Sequence, residues 1–268
     1  MNSTAWAKFA RALVCPEYAL RQVVRSLSIG SVDFRLSLQA LDRPQYAFGV
    51  KQAIYLASKL KHSKVSVLEF GVAAGDGLLA LEAYGAELGR RAGVQVEVYG
   101  FDTGHGLPAA SDYRDLGYVW KRGAYRMDFE SLKARLKSAK LLLGDVRDTV
   151  SEFVRSEHAP VGFVSFDLDY YSSTAAAFQV FESPNEGILP RVVLYFDDIV
   201  SDGHQLHCEQ VGELLAIREF NQNADNGHLL ASMGLLNAKL MFSAMWMNQL
   251  WVYHRFQHPD YNTYIGTE

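Results

Sequence analysis

The 268-residue chain lacks several features that define large classes of protein. It has only two cysteines, Cys15 and Cys208, which form neither a disulfide framework nor a zinc site and fit a reducing cytoplasm. It has no run of about 18 uninterrupted apolar residues, the length that a membrane-spanning helix needs. Its net charge of −4, from 26 basic and 30 acidic side chains, argues against a dedicated nucleic-acid binder. We therefore expect a cytoplasmic protein with no integral membrane segment.

The composition that remains is typical of a folded α/β protein. Apolar residues make up 49% of the chain and charged residues 21%, which excludes a largely disordered protein. Residues 1–62 have helical spacing and predict an N-terminal helical cap, with residues 63–268 as the main domain. In that domain, short apolar runs alternate with helical segments, which predicts βαβ units and a three-layer, doubly wound, mostly parallel sheet. The predicted strands are 65–70, 96–101, 141–143, 161–166 and 192–196, with one or two more in 246–256.

A glycine-containing loop follows the first predicted strand, from Glu69 to Gly77. Gly71 and Gly75 allow a tight turn and a close approach of the backbone to a ligand, with a helix N-terminus beyond. Flavin, nicotinamide and S-adenosylmethionine (SAM) folds all use such a loop, and a simple tight turn is the alternative. Glu69 suits the cationic amino-acid end of SAM and suits a pyrophosphate poorly. Glu69, Gly71 and Gly75 are therefore candidate cofactor-binding residues.

Acidic residues also follow the next two predicted strands, where ligands of such sheets bind. Asp102 could accept hydrogen bonds from a ribose diol, in SAM as in NAD; the alternative is an Asx turn. Asp145 could accept from an adenine amino group while Val146 covers the ring. The alternative for Asp145 is a helix cap, because a helical segment begins directly after it.

Four aspartates follow the fourth and fifth predicted strands: Asp167 and Asp169, then Asp197 and Asp198. If these strands are neighbours, about 4.8 Å apart, the carboxylates converge at one edge of the sheet. Like charges this close repel unless they are protonated or neutralised by a cation, and hard oxygen ligands suit Mg²⁺ or a similar divalent ion. The alternative is that these acids cap the helices that follow.

Taken together, these motifs resemble class I SAM-dependent methyltransferases. Within them, the chain is most similar to the macrocin O-methyltransferase (TylF-type) group of metal-dependent sugar O-methyltransferases. The resemblance spans roughly residues 46–222, most of the chain. The motifs that carry it are Glu69-Phe70-Gly71-Val72, Phe101-Asp102-Thr103 with Gly106-Leu107-Pro108, Asp148-Thr149, the segment from Asp167-Leu168-Asp169 to Thr174, and the Asp197-Asp198 pair.

The resemblance implies a Rossmann-like SAM methyltransferase fold and transfer of a methyl group from SAM to a hydroxyl of a small molecule, such as a sugar or a glycosylated metabolite. It also implies a role for each matching residue. Glu69, Gly71 and Gly75 would hold the amino-acid part of SAM, Asp102 the ribose, and Asp145 with Val146 the adenine; Asp167, Asp197 and Asp198 would hold Mg²⁺ or a similar cation, and Asp169 would be the general base.

Two other functions remain open at this point. The first is a nicotinamide-dependent oxidoreductase on the same type of sheet. Ala73 and Asp76 argue against it, because they replace the second and third glycines of the dinucleotide-binding pattern G-x-G-x-x-G. The second is a non-catalytic SAM-fold binding protein. The sequence also leaves open whether the helical cap closes over the site or forms an interface between copies in a homo-oligomer.

Overall fold

The computed structural model describes residues 15–200, 205–223, 227–233 and 244–266. Pro16 and Pro44 each occupy the first turn of a helix, where the missing N–H costs nothing. Gly75 and Gly93, both in the left-handed conformation, flank the helix Asp76–Ala92. The α-helices in these ranges are α1 (Pro16–Ser26), α2 (Val32–Ser37), α3 (Pro44–Lys59), α4 (Asp76–Ala92), α5 (Phe129–Arg135), α6 (Val146–Arg155), α7 (Tyr171–Ala177) and α8 (Gly212–Gln222).

The strands form one seven-stranded sheet of order β3-β2-β1-β4-β5-β7-β6. The pairs among β1 to β5 are parallel, and β7 is antiparallel to both β5 and β6. After β3 the chain crosses back to place β4 beside β1, so the sheet has its topological switch point between β1 and β4. The strands are β1 (Lys64–Phe70), β2 (Gln95–Asp102), β3 (Lys140–Leu143), β4 (Val161–Phe166), β5 (Ile188–Phe196), β6 (His228–Ser232) and β7 (Leu250–Arg255).

Helices cover both faces of the sheet, each over its own apolar core. On one face α2, α3 and α4 pack over inward residues such as Val67 and Phe163. On the other, α6, α8 and the 3₁₀ helix Phe178–Glu182 pack over Leu68 and Val164. Because successive strand residues point to opposite faces, neighbouring positions such as Val67 and Leu68 supply the two cores. The expected three-layer, doubly wound, mostly parallel Rossmann-like sheet is therefore confirmed.

Four phenylalanines form a row across the carboxyl-terminal edge of the parallel strands. Phe70 stacks on Phe101 with ring centroids 4.4 Å apart and on Phe166 at 5.4 Å, and Phe166 stacks on Phe196 at 4.7 Å. The same residues are paired in the strand register. Each ends or nearly ends its strand, so the residue after each phenylalanine lies at one edge of the sheet.

Helix α3 packs directly on the sheet. Gly49 lies so close to Phe163 of β4 that an added Cβ would sit 2.1 Å from the ring, and Tyr46 is fully buried. This helix lies within the segment predicted as the helical cap, and it contributes to the main core. The division of the chain at residue 62 stays a prediction, and residues 1–14 of the predicted cap lie outside the described residues.

The late strands differ in part from the prediction. Within 246–256 one strand forms, β7, preceded by a 3₁₀ turn over Met245–Gln249. Its partner β6 (His228–Ser232) was missed because histidine, alanine and serine favour strands weakly, and pairing with β7 stabilises the segment instead. In the described parts of the chain, no helix is long and apolar enough to cross a membrane.

Candidate functional site

A cavity of about 600 Å³ lies at the carboxyl ends of the parallel strands, at the switch point between β1 and β4. Ligand pockets of open α/β sheets occur at this place and are commonly of this size. Every residue that the sequence predicted for cofactor, metal or catalysis lines it: Glu69, Gly71, Gly75, Asp102, Asp145, Val146, Asp167, Asp169, Asp197 and Asp198.

Glu69 lies at the floor of this pocket and is only 1% exposed. Its Oε1 accepts a hydrogen bond of 2.7 Å from the Tyr46 hydroxyl, which in turn accepts one of 2.8 Å from the Ser165 hydroxyl. Its Oε2 is buried and has no hydrogen-bond partner in the structure. Burial raises the pKa of Glu69 to about 8, although the Tyr46 hydrogen bond and Arg43 oppose that rise. Glu69 is thus a carboxyl group that lacks a partner for its charged form.

The glycine loop has room for no other residue at two of its positions. Gly71 has φ +87°, and an added Cβ would lie 1.8 Å from the backbone oxygen of Asp167. At Gly77, an added Cβ would lie 1.7 Å from Oε1 of Glu69. The loop can therefore pass close to both the strand β4 end and the Glu69 carboxyl only because these side chains are missing.

Asp102 holds the glycine loop in place. Its Oδ2 accepts hydrogen bonds of 2.9 Å from the backbone amides of both Val72 and Ala73, and its Oδ1 accepts one of 2.6 Å from Gly104. The bond to Gly104 is the Asx turn that the sequence offered as the alternative. A carboxylate has about four acceptor sites, so one remains for a ribose hydroxyl. The ribose role of Asp102 stays a prediction.

Asp145 is the N-cap of α6, as the alternative reading of the sequence proposed. Its side chain accepts from the Arg147 amide at 2.9 Å and pairs with the Arg147 guanidinium at 2.6 Å. Asp145 and Val146 both line the pocket, beyond the end of β3. Their role toward an adenine ring stays a prediction.

The four aspartates converge, because β4 and β5 are neighbours in register. Asp169, with φ +60°, donates its backbone N–H to Oδ2 of Asp198 at 3.0 Å. Burial, with the charges of Asp167 and Asp197, raises the pKa of Asp169 to about 7. Burial and the charge of Asp198 likewise raise the pKa of Asp167. These carboxylates therefore lie in one negative, poorly solvated group.

A fifth acid, Glu213, belongs to this group and was missed in the sequence. It lies in the first turn of α8, is 0% exposed and accepts the backbone N–H of Asp198 through Oε2 at 3.1 Å. Its Oε1 is buried without a hydrogen-bond partner. Burial, followed by the charge of Asp198, raises its pKa. No local signal separates Glu213 from a surface acid of an amphipathic helix; only the packing of α8 buries it.

The acids suit a divalent cation in their chemistry but not in their arrangement. Carboxylate oxygens are the ligands that Mg²⁺ prefers. Within the described ranges, however, no group of three or more His, Cys, Asp or Glu side chains is placed so that it could hold a metal ion. Oδ1 of Asp197 accepts from the Tyr195 hydroxyl, and Oδ2 of Asp198 from the Asp169 amide. Magnesium at Asp167, Asp197 and Asp198 stays a prediction.

The connection from β2 to α5 (residues 103–128) forms another wall of the pocket. Two aromatic residues of this connection, Trp120 and Tyr125, line the cavity, with ring centroids 6.2 Å apart. The fully buried Asp115 fixes this connection, since it accepts from Ser111 and from both the amide and hydroxyl of Ser172.

A basic residue that the sequence analysis did not single out, Arg43, also lines the pocket. It is the N-cap residue of α3, with φ +47°, and its guanidinium lies 5.3 Å from the ring centroid of Tyr46. In sequence it is an ordinary arginine before a proline, and only the packing of α3 beside β1 brings it to Glu69.

Several solved structures to which the chain is similar are methyltransferases. The chain matches CalS11, a calicheamicin methyltransferase, with 22% identity, a TM-score of 0.48 and 82% of each chain covered. It also matches the O-methyltransferase TomG from Streptomyces achromogenes, bound to SAM, with 13% identity, a TM-score of 0.41 and 79% of each chain covered. An O-methyltransferase from Bacillus cereus, bound to SAH, matches with 13% identity, a TM-score of 0.41 and coverage of 88% of this chain and 96% of that one.

Each of these similarities lies below 25% identity and below a TM-score of 0.5. No protein-family profile and no curated protein sequence matches the chain.

The raised pKa of Glu69 predicts a pH-dependent stability. Between its ordinary pKa of 4.5 and about 8, Glu69 stays protonated in the folded protein and ionises in the unfolded chain. The folded state then binds more protons, so the free energy of unfolding falls as pH rises through this window, by a few kcal/mol at most. Glu69→Gln is neutral at every pH, and its melting temperature should fall less than that of the parent between pH 5 and 8.5.

The measurement is thermal unfolding of the ligand-free protein across that range. Glu130→Gln, at an exposed position on α5, is the matched control and should keep the parent's slope. Parallel profiles for the parent and Glu69→Gln would show that Glu69 titrates normally.

Proposed function

We propose that the chain is a SAM-dependent methyltransferase that acts on a hydroxyl group of a small molecule. The observation that carries this proposal is Glu69, a buried carboxyl group that lines the pocket and whose Oε2 has no hydrogen-bond partner. A buried polar atom of this kind is costly unless a ligand pairs with it. An ammonium group satisfies such an oxygen and favours its ionised form, whereas the pyrophosphate of a dinucleotide brings neither a positive charge nor a hydrogen-bond donor to it.

The order of residues along the pocket supports the same cofactor. In this proposal Glu69, Gly71 and Gly75 hold the amino-acid end of SAM, Asp102 the ribose, and Asp145 with Val146 the adenine. These residues lie at or just after the ends of β1, β2 and β3, which are adjacent in the sheet, and this order matches the order of the parts of SAM. A cavity of about 600 Å³ also has room for a small acceptor.

The aspartates after β4 then border the place of the reaction. When bound, SAM would supply a methyl group on a positively charged sulfur, for transfer to the acceptor oxygen with the carbon–sulfur bonding pair left on sulfur. The hydroxyl proton passes to Asp169, which lines the same pocket as Asp167, Trp120 and Tyr125. Holding acceptor and donor together contributes much of the rate in such a transfer.

The proposal also includes the class of the acceptor and a divalent cation at the aspartates. Flat aromatic faces beside several carboxylates suit a molecule with many hydroxyl groups, such as a sugar or a glycosylated metabolite. A divalent cation would be held by Asp167, Asp197 and Asp198, and its chemistry would be to lower the pKa of the acceptor hydroxyl. The donor set supports this by its composition, since these acids have little nearby positive charge apart from Arg43.

The cofactor is tested by direct binding. SAM and its demethylated product SAH should raise the melting temperature and give saturable heats in calorimetry, because both carry the ammonium group that pairs with Glu69. NAD⁺ and NADP⁺ should do neither. Stabilisation by a nicotinamide dinucleotide without any effect of SAM would replace the proposal with the oxidoreductase function.

The general base is tested with Asp169→Asn. Asparagine tolerates the left-handed backbone at this position, so the pocket keeps its shape while the proton acceptor is lost. With an acceptor found in a panel of sugars and glycosides, kcat should fall by roughly 10²- to 10⁴-fold, and SAM affinity should stay within about twofold. Asp148→Asn, at an exposed position on α6, is the control. Unchanged kcat in Asp169→Asn would assign the proton to another group.

The metal is tested with Asp197→Asn, since asparagine keeps an oxygen for the Tyr195 hydroxyl. We expect calorimetric SAM binding to survive in this variant and Mg²⁺-dependent turnover to be lost, because a neutral amide is a weaker ligand for a hard cation. Chelator-treated parent protein should also be inactive until Mg²⁺ is returned. Full turnover in excess chelator would remove the metal from the proposal and leave the methyl transfer intact.

A further inference from the structure

Arg43 is a pocket residue whose charge is not used within the described structure. Its guanidinium lies over the ring of Tyr46, and the Tyr46 hydroxyl donates to Glu69 at 2.7 Å. One tyrosine side chain therefore connects a cation and a carboxyl group that line the same cavity. In the described part of the chain, the Arg43 side chain forms no hydrogen bond and no ion pair within 4.0 Å.

The surroundings of Arg43 are strongly acidic. Burial lowers its pKa, but the negative potentials of Tyr46, Glu69, Asp167 and Asp197 outweigh this and leave the pKa above its ordinary value. The guanidinium is thus permanently charged, half-buried and without a bound carboxylate. Five N–H donors in a planar fork are suited to bind a carboxylate with two hydrogen bonds.

We propose that Arg43 binds the α-carboxylate of the SAM amino-acid end, while Glu69 binds its α-ammonium group. This inference rests on the function proposed above. An amino-acid zwitterion has both charges on one carbon, so it needs a cation and an anion at one end of the pocket. The Arg43–Tyr46–Glu69 group provides this pair, and Glu69 supplies the second observation, a buried oxygen without a partner.

The alternative is that Arg43 only offsets the charge of the aspartates. The two roles differ in which ligands they affect. A carboxylate-binding arginine discriminates among ligands by the presence of a carboxylate, whereas a general counter-ion affects every adenosyl ligand alike. Three ligands distinguish the contribution of the carboxylate from that of the ammonium group. SAM has both groups, decarboxylated SAM has only the ammonium group, and 5′-methylthioadenosine has neither.

Calorimetry of these ligands with Arg43→Gln and Glu69→Gln tests the inference. Arg43→Gln should weaken SAM by roughly 10- to 100-fold and leave decarboxylated SAM and 5′-methylthioadenosine within about twofold. Glu69→Gln should weaken both SAM and decarboxylated SAM and spare 5′-methylthioadenosine. Arg43→Lys should recover part of the SAM affinity, because it restores charge without the planar fork. Arg91→Gln, an exposed position at the far end of α4, is the matched control.

Each outcome decides between the possibilities. Equal weakening of all three ligands, or of none, by Arg43→Gln would overturn the carboxylate assignment and leave SAM as the cofactor. If the parent protein does not bind SAM, the proposed function and the inference are both overturned, whether or not 5′-methylthioadenosine binds. Melting temperatures of the variants show whether each is folded.

Discussion

The alignment of strand ends by the phenylalanine row is the constraint on which the site depends. Phe101, Phe70, Phe166 and Phe196 stack in sequence across β2, β1, β4 and β5 with centroids 4.4 to 5.4 Å apart. A slip of one residue in any strand would turn its phenylalanine to the opposite face and expose a large apolar ring. Because the register is fixed in this way, the residues that follow each phenylalanine meet at one edge and enclose one cavity.

The electrostatics of that cavity follow from burial of like charges. Glu69, Asp167, Asp169, Asp198 and Glu213 all have a raised pKa, and burial is the leading cause for each. Such a cluster is costly in the absence of compensating charge. Part of the compensation is internal, from hydrogen bonds such as those of Tyr46 and the Asp169 amide. The part of this cost that internal hydrogen bonds do not compensate makes the pocket suited to a positively charged ligand.

Much of the fold was predictable because its signals are local. The apolar run 161–166 predicts a strand. The glycines in the loop from Glu69 to Gly77 predict a βα turn. The short strand β6 was not predictable, since only its pairing with β7 stabilises it. At the site, Asp102 and Asp145 were found by position, but their hydrogen bonds to the glycine loop and to Arg147 depend on contacts across the fold or at a helix start.

The sequence by itself determined that acids and glycines lie at the ends of successive strands of a doubly wound sheet, because these patterns involve only residues that are close together in the chain. The tertiary structure alone decided which charges meet. Arg43 and Glu69 are connected through Tyr46, and Glu213 lies beneath Asp198, although 15 or more residues separate each pair in the chain. Such pairings arise when helices pack on the sheet, and burial then sets their protonation, since desolvation depends on everything that surrounds a group and not on its neighbours in sequence.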